Sequence, residues 1–371
     1  MMNYNNRDMK LLILSVAAGA GHVQAAKAIK KQAKLDHPDW LIDHIDCLDF
    51  LSLPPKKIFF DSYGVITKKA PFLWRWIFNI FNKPNVNKIS DKIFKNLILF
   101  YTDKIINYIN AIKPDIIICT HPTATNIISI QKKNLIKKPK LWTVITDYEM
   151  HLFWVNKESN YFVPTEKIKK ELIEKHGLTQ KNIIVSGIPI DNIFYQEENS
   201  EFLKNKYSLE KNKTILILSG GLGLIRADKI VKEIMKNKNN LNLVAIAGKN
   251  INLEEKLKKI KPPKNIIYRP LGWTNRVAEY MKMADIIITK PGGMTVTECL
   301  ALRKPLIIIK PIPGQEEGNA NFLLKNNWAV ICKKNKEINK IINSLTKQKL
   351  ASDWPVKNSA KIIIESIYPT Q

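Results

Sequence analysis

Cysteine is scarce in this chain. Four cysteines occur among 371 residues, at Cys47, Cys119, Cys299 and Cys332, and no two of them form a CxxC pair. Widely separated thiols in apolar stretches are typical of buried, reduced cysteines, and they do not suit a disulfide framework or a zinc site. This spacing predicts a protein of the cytoplasm.

The sequence also lacks a long apolar run. No stretch approaches the roughly 20 apolar residues that a transmembrane helix requires. The run Leu11–Ala18 resembles the core of a signal peptide, but Asp8 is unusual before such a core, so a buried first strand is the better interpretation. Membrane contact is then expected at the surface only, as a peripheral, monotopic association with the inner face of the membrane.

Acidic residues are few beside basic ones. The chain has 33 Asp and Glu against 59 Lys and Arg, which gives a formal net charge of +26. Such an excess predicts attraction to a polyanion, which can be nucleic acid, an anionic lipid surface or a phosphorylated substrate. No helix-turn-helix or RNA-binding signature accompanies the charge, so nucleic acid is not expected as a partner.

What the chain does have is a regular alternation of short β-branched runs and amphipathic helical patterns. This alternation favours parallel sheets flanked by helices, an α/β fold with two Rossmann-like domains. We expect the first domain at 1–196, a linker at 197–213, the second domain at 214–350, and a helical segment at 351–371 that packs back on one domain, assigned here to the N-terminal one. Strands are predicted at Lys10–Val16, Leu41–Asp46, Asp115–Cys119, Leu141–Thr146, Tyr161–Val163, Ile183–Ser186, Thr214–Leu218, Leu243–Ala247, Ile266–Tyr268, Ile286–Thr289 and Leu306–Ile309.

The first predicted strand runs into a glycine turn. Gly19 and Gly21 precede His22, and a helical pattern follows. Such a turn exposes backbone N–H groups at a helix N-terminus and stands at the carboxyl edge of a parallel sheet, where open α/β folds bind ligands. An imidazole there can accept the proton of an acceptor hydroxyl. The alternative is a plain turn in which His22 merely begins the helix.

A second glycine turn follows the strand Ile286–Thr289. Gly292 and Gly293 open a helix there, so that backbone N–H groups can hold a diphosphate and Thr295 can add a hydroxyl. Glu298 lies one helical turn further on the same face, where its carboxylate can bind the ribose hydroxyls of a nucleotide. The alternative is that Thr295 and Glu298 form a capping box.

Polar groups follow the next strand as well. Gln315, Glu316 and Asn319 lie in a loop rich in amides and carboxylates, which suit several sugar hydroxyls at once; the alternative is a solvated surface loop. Two further turns at the same sheet edge can hold phosphate and base through backbone groups. They contain Gly220, Gly221, Gly223 and Trp273.

The chain has no Asp-x-Asp pair that would hold a divalent metal ion against a diphosphate. Helix dipoles and backbone N–H groups are expected to carry the diphosphate charge instead. We therefore expect no metal and no other cofactor.

Residues 56–101 combine many cations with many aromatic rings. This mixture suits a bilayer interface, where rings sit at headgroup level and lysines meet anionic lipids. The alternative is a helix with an apolar stripe facing the core and lysines facing solvent. The residues expected at the membrane are Lys68, Lys69, Phe72, Trp74, Trp76 and Phe78.

Several motifs occur in an order that resembles a known family, the monogalactosyldiacylglycerol synthases and processive diacylglycerol glucosyltransferases, which are related to the peptidoglycan N-acetylglucosaminyltransferase. The resemblance covers most of the chain. Lys290 and the loop Gly314–Asn319 fit the lipid branch better than the peptidoglycan branch. The motifs are Ala18-Gly19-Ala20-Gly21-His22, Thr146-Asp147-Tyr148-x-x-His151-x-x-Trp154, Gly187-Ile188-Pro189, Gly220-Gly221-Leu222-Gly223, Lys290-Pro291-Gly292-Gly293 and Gly314-Gln315-Glu316-Glu317-Gly318-Asn319.

The resemblance implies a GT-B type glycosyltransferase, with two Rossmann-like domains facing a cleft. The first domain would bind diacylglycerol and the second a UDP-glucose or UDP-galactose donor, and transfer would invert the anomeric carbon. By motif, His22 is the catalytic histidine, Glu298 the ribose ligand, Gln315 and Glu316 the hexose ligands, and Thr295 with its glycines the diphosphate ligands. Trp273, by position, would offer backbone groups to uracil. The acceptor-side residues are Gly21, Asp147, His151 and Trp154. Asp147 and His151 would orient the acceptor or the ring of His22; the alternative is that they are ordinary loop residues.

Two kinds of alternative function remain open. One is another reaction on the same fold, such as transfer of N-acetylglucosamine to a polyprenyl-linked precursor or epimerisation of a UDP-sugar. The other is a non-catalytic basic protein that binds membranes or nucleic acid. The second alternative predicts salt-sensitive polyanion binding and no effect of UDP on thermal stability.

Overall fold

The structure is a computed structural model, and it describes residues 9–17, 19–50, 102–309, 311, 314–345 and 357–368. The chain divides into two compact units. Unit 1 comprises Met1–Asp191 together with Lys357–Gln371, and unit 2 comprises Asn192–Val356. The residues expected at the membrane, from Lys68 to Phe78, lie outside the described residues.

Unit 1 is built on a parallel sheet that has six strands in the described part of the chain, in the order β2-β1-β3-β4-β5-β6. The central strands are runs of branched aliphatic residues buried on both faces, as parallel sheets covered by helices require. The strands are β1 Lys10–Ser15, β2 Leu41–Asp46, β3 Ile116–Cys119, β4 Lys140–Val144, β5 Asn160–Val163 and β6 Ile183–Val185, and the helices between them are α1 Ala20–Asp36, α2 Asp103–Ile112, α3 Pro122–Ile130 and α4 Glu166–Glu174.

Unit 2 repeats this architecture with a parallel sheet whose described strands run in the order β12-β11-β10-β7-β8-β9. The predicted α/β fold with two Rossmann-like units is therefore confirmed. The strands are β7 Lys213–Leu218, β8 Leu241–Ile246, β9 Ile266–Leu271, β10 Ile286–Thr289, β11 Leu306–Ile309 and β12 Ala329–Cys332, and the helices are α5 Ser200–Lys206, α6 Ala227–Ile234, α7 Ile251–Lys258, α8 Val277–Met283, α9 Gly293–Ala301, α10 Gln315–Lys325 and α11 Ile338–Leu345.

Each sheet has one point where the strand order reverses. In unit 1 this point lies between β1 and β3, and in unit 2 it lies between β7 and β10. The connections that leave two such neighbouring strands diverge to opposite faces, so a crevice opens at the carboxyl ends of the pair. Predicted site residues follow three of these four strands, namely β1, β7 and β10.

The last described helix belongs to unit 1 although unit 2 precedes it along the chain. This helix, α12 Ser359–Ile367, packs along α1. Its Ile363 and Ile364 are fully buried in the cluster that also contains Leu11 and Ile29. Burial of aliphatic side chains of this size stabilises by about 1.5–3 kcal/mol each.

Two segments differ in detail from the expected layout. The stretch 197–213, expected to be a linker, belongs to unit 2 and contains α5, which Asn199 caps with its side-chain oxygen. Strand β12 lies at the edge of the second sheet and was not predicted. In the part of the chain that the structure describes, no helix combines the length and the apolar character needed to cross a bilayer.

Candidate functional site

His22 lies in the first turn of α1, directly after the glycine turn that follows β1. Its Nδ1 is 2.8 Å from the backbone oxygen of Thr120 and 2.9 Å from Oγ1 of Thr146. A carbonyl oxygen only accepts hydrogen bonds, so Nδ1 carries the proton of the neutral ring and Nε2 keeps its lone pair. The ring is therefore held in the tautomer that a general base requires.

The surroundings of His22 also keep the ring neutral. Burial lowers its pKa from the ordinary value of 6.5 to about 4, and the hydrogen bond to the Thr120 carbonyl opposes this shift in part. The ring also lies at a helix N-terminus, where a positive charge is disfavoured, and this effect lowers the pKa as burial does. At neutral pH the imidazole is thus ready to accept a proton.

Two more histidines and a tryptophan surround His22. The rings of His22 and His121 meet edge to face with centroids 4.6 Å apart, and Trp154 lies 6.2 Å from His22 and 5.8 Å from His151. Burial is the main cause that lowers the pKa of His151 to about 3 and that of His121 well below 6.5. The three imidazoles are therefore uncharged at neutral pH.

His121 was not among the predicted site residues. It follows β3, and its Nδ1 accepts the backbone N–H of Thr123, so that it caps α3 ahead of Pro122. The signal that could have identified it is its place after a buried strand that neighbours β1 at the point of strand reversal. The sequence alone does not show which strand is the neighbour of β1.

The other predicted acceptor-side residues are close in sequence to residues of this cluster or to their hydrogen-bond partners. Gly21 precedes His22 in the first turn of α1, and Asp147 is buried directly after Thr146, whose hydroxyl makes the contact with His22 described above. Trp154 is 1% exposed, and its indole Nε1 has no hydrogen-bond partner among the described residues. An unpaired buried N–H costs free energy that a bound oxygen atom would recover.

Asp46 supports the turn before His22 and was also not predicted. It ends β2 and accepts the backbone N–H of Ala17 at 3.1 Å and that of Leu48 at 3.0 Å. The carboxylate thereby fixes the chain between β1 and α1.

In unit 2 the turn after β7 needs its glycines. Gly220 and Gly223 have φ values of +76° and +61°, in the left-handed region that favours glycine. Gly248 lies beneath this turn, since a Cβ placed on it would lie 2.4 Å from the backbone oxygen of Gly220. The hydroxyl of Ser219, a residue that was not predicted, is buried there without a hydrogen-bond partner among the described residues.

The turn after β10 presents a helix N-terminus. Gly292 is the N-cap of α9 and Gly293 its first residue, so a side chain does not cap this end. Thr295 is the third residue of the helix and therefore does not occupy the N-cap position of a capping box, which rules out that alternative. Both Thr295 and Glu298 are half-buried. The N–H groups of the first turn and the helix dipole favour an anion here.

The polar segment after β11 is a helix rather than a solvated loop from Gln315 onwards. Glu316 and Asn319 lie in the first turns of α10 and are 6% and 0% exposed. Glu317 accepts the backbone N–H of Gly314 at 3.0 Å and thereby caps the helix. The side chain of Gln315 lies outside the described part of the structure.

Two basic residues reach into this region. Nζ of Lys290, directly after β10, donates to Oε1 of the buried Glu316. Nζ of Lys249 lies 5.0 Å from the centre of the Trp273 ring, a cation–π contact. Trp273 itself is 58% exposed in the turn after β9. The structure thus brings the predicted donor residues of unit 2 to the carboxyl edge of one sheet.

Two family models match the chain. Residues 22–190 match the model described as monogalactosyldiacylglycerol (MGDG) synthase, and residues 214–367 match the glycosyltransferase family 28 C-terminal domain. Curated relatives include a processive diacylglycerol beta-glucosyltransferase of Bacillus cytotoxicus, 31% identical over 90% of this chain and 84% of the relative. Another of the same name, from Bacillus subtilis strain 168, is 28% identical over 98% of this chain and 95% of the relative.

Solved structures with the same fold include MurG of Acinetobacter baumannii. It has a TM-score of 0.59 and 15% identity, with 98% of this chain and 100% of the other covered. A UDP-GlcNAc 2-epimerase of Methanocaldococcus jannaschii, in complex with UDP-GlcNAc and UDP, has a TM-score of 0.57 and 16% identity over 97% of this chain and 99% of the other. At this identity the likeness concerns the GT-B fold alone.

Proposed function

We propose that this chain, which belongs to the family of the monogalactosyldiacylglycerol synthases and processive diacylglycerol glucosyltransferases, transfers a hexose from a UDP-sugar to diacylglycerol at a membrane surface. The fixed tautomer of His22 is the observation that carries the proposal for the mechanism. The curated relatives are named as glucosyltransferases, which favours UDP-glucose over UDP-galactose as the donor.

In the proposed reaction, Nε2 of His22 accepts the proton of the free glycerol hydroxyl while its oxygen attacks the anomeric carbon of the sugar. The bond from that carbon to the diphosphate breaks on the opposite face, and UDP leaves with the electron pair. A single displacement of this kind inverts the anomeric configuration. Proton transfer to a placed base contributes about 10²–10⁴-fold to the rate of such reactions.

The leaving diphosphate needs positive potential. The N-terminus of α9 at Gly292 and Gly293 and the glycine turn after β7 would supply it through backbone N–H groups, with Thr295 and the buried hydroxyl of Ser219 as further donors. No metal ion takes part in this proposal. Fixed dipoles of this kind require no rearrangement as charge develops.

The remaining donor contacts are assigned from the family motifs, and the places of these residues at the carboxyl edge of the second sheet support the assignment. We assign the ribose hydroxyls to Glu298, the hexose hydroxyls to Glu316, Gln315 and Asn319, and the base to the turn that carries Trp273. On the acceptor side, Trp154 and His151 would contact the glycerol backbone of the lipid next to His22.

We also propose that the chain acts as a peripheral protein at the cytoplasmic face of the membrane and binds anionic lipids there. The net charge of +26 and the cationic, aromatic composition of residues 56–101 support this part of the proposal.

Product analysis tests the proposed function. The purified chain is incubated with vesicles that contain diacylglycerol and, in separate reactions, with UDP-glucose, UDP-galactose and UDP-N-acetylglucosamine. We expect a glycosylated diacylglycerol of inverted anomeric configuration, formed from UDP-glucose faster than from the other donors. Formation of an epimerised nucleotide sugar, or transfer from UDP-N-acetylglucosamine alone, would exclude the proposal.

A further inference from the structure

We infer that Lys290 is a positioning residue for sugar recognition, and that it acts by holding the carboxylate of Glu316 in place beside the glycine turn after β7. The inference rests on the proposed function, in which Glu316 binds the hexose of the donor. Lys290 thereby contributes to binding of the sugar and not to binding of the nucleotide.

The position of Lys290 follows from the topology of unit 2. The lysine comes directly after β10, which neighbours β7 at the point of strand reversal. A Cβ placed on Gly220 would lie 3.1 Å from Cε of Lys290, so the aliphatic part of the lysine packs against the glycine turn. Because Gly220 has no side chain, the side chain of Lys290 has room to extend past it towards Glu316.

At the far end of its side chain, Lys290 forms an ion pair with Glu316. The side chain of Glu316 is 8% exposed and that of Lys290 is 21% exposed, so this pair is among the better shielded ones in unit 2. A cation beside a shielded carboxylate stabilises its charge, and removal of that cation favours orientations in which the carboxylate turns towards solvent. The ammonium group therefore favours the inward orientation of Glu316.

A fixed carboxylate recognises sugars by geometry. Its two oxygens accept hydrogen bonds from two neighbouring hydroxyls, and the benefit depends on oxygens that are already in place when the sugar arrives. Lys290 lies between the glycine turn after β7 and Glu316, and so between the groups proposed for the diphosphate and those proposed for the hexose.

A double-mutant cycle tests this inference. Dissociation constants for UDP and for the UDP-hexose that the wild-type chain uses, together with kcat and KM, are measured for Lys290→Met, Glu316→Gln and the double variant. We expect Lys290→Met to weaken binding of the UDP-hexose roughly tenfold or more, since it removes a charge-assisted hydrogen bond that orients Glu316, and to leave binding of UDP nearly unchanged. The double variant should bind the UDP-hexose no more weakly than Glu316→Gln alone, because both substitutions remove one effect.

Two control variants accompany the cycle. Lys213→Met removes a lysine that pairs with Asp285 at the opposite end of β7, and it should bind both ligands like the wild type. Lys290→Arg keeps the charge but brings a bulkier group to Gly220, so it should recover part of the affinity that Lys290→Met loses. Retained binding of UDP shows that a variant is folded. If Lys290→Met is not folded, Lys290→Gln is used in its place.

Three results would overturn the inference. They are wild-type affinity of Lys290→Met for the UDP-hexose, an equal loss of affinity for UDP and for the UDP-hexose, and additive losses in the double variant. Failure of the proposed function has a different signature, because the wild-type chain itself would then neither bind nor turn over any UDP-hexose.

Discussion

At the scale of single residues, one backbone carbonyl decides where the proton of His22 resides. The Thr120 oxygen holds the proton on Nδ1, and Thr120 is brought to this place by β3, the neighbour of β1 in the sheet. A base of this kind depends on burial as well as on hydrogen bonding, because the pKa of the ring falls to about 4 in its surroundings. Both effects can be measured in solution.

The pH dependence of catalysis follows from that pKa. The neutral form of His22 is the active one, so kcat/KM should stay level as the pH falls through 6.5 and should decline only towards about pH 4. The measurement is a pH profile of glycolipid formation with a second buffer series as control. A decline centred near pH 6.5 would show that His22 titrates as it does in water and would contradict the assignment.

The same shift predicts a loss of stability in acid. Between pH 6.5 and about 4 the unfolded chain binds a proton at this histidine and the folded chain does not, so the free energy of unfolding should fall as the pH decreases through that window. Urea unfolding at several pH values measures this fall. His22→Asn should show a shallower decline than the wild type, and an equal slope would speak against a buried neutral ring.

Replacement of the base separates catalysis from binding. His22→Ala should lower kcat by about 10²–10⁴-fold, because it removes the base of the proposed mechanism. Binding of UDP should remain near the wild-type level, since the donor residues lie in unit 2. Titration with UDP and single-turnover assays test this; lost UDP affinity with turnover preserved would refute the role.

Candidate site residues could be chosen from the sequence where chemistry and position are recognisable along the chain, and their roles stay predictions. His22, Gly292, Thr295 and Glu298 stand where a strand ends and a helix begins, a pattern that the sequence displays directly. His121 and the pairing of Lys290 with Glu316 were missed because they depend on which strands are neighbours. The order of strands in a sheet is set by long-range packing and not by any local pattern.

At the scale of elements, the proposed mechanism assigns to the N-terminus of α9 a task that a metal ion performs in other sites for diphosphates. Its N-terminus has a glycine as N-cap, and its first turn is half-buried. If this helix end stabilises the leaving group, chelators should not affect the reaction. Activity measured in EDTA should equal activity measured with added Mg²⁺, and a loss in EDTA that Mg²⁺ restores would contradict the proposal.

The contact between α12 and the turn after β6 leads to a prediction on stability. Gly187 has φ +85°, and a Cβ placed there would lie 2.4 Å from Oγ of Ser359. Gly187→Ala combines backbone strain, which costs of order 1–3 kcal/mol, with displacement of α12. Urea unfolding should show a larger loss than for Gly177→Ala.

Gly177 is a matched control because its φ is +67° and an added Cβ would meet nothing within 4 Å. Adding Ser359→Ala to Gly187→Ala should restore part of the stability, since it removes the clashing oxygen. Equal losses in the two glycine variants would show that strain alone matters and that α12 can adjust its position freely.

The elements themselves were largely predictable. All eleven predicted strands are present, with ends within three residues of those expected, because runs of buried branched residues between turns are a strong local signal. Strand β12 was not predicted; it is an edge strand of four residues, of which Val330 and Ile331 are only half-buried. An edge strand depends on its neighbour β11 for recognition, and the sequence does not show that neighbour.

At the scale of the whole molecule, the excess of positive charge predicts how the chain meets a membrane. A Lys or Arg close to an anionic surface contributes about 1 kcal/mol, and salt screens this attraction. Binding to vesicles with anionic lipid should therefore exceed binding to neutral vesicles and should weaken between low and high salt. Sedimentation with vesicles of both compositions measures this binding. Equally strong binding to neutral and anionic vesicles would contradict the proposed attraction to anionic lipid.

The return of α12 to unit 1 has a consequence for biosynthesis. A ribosome releases the segment that holds β1 to β6 first, but Ile363 and Ile364 can cover the apolar side of α1 only after unit 2 and α12 have been made. At typical rates of synthesis the intervening unit takes on the order of ten seconds or more to appear. During that interval the nascent chain exposes an apolar surface on α1, which is the kind of surface that chaperones bind.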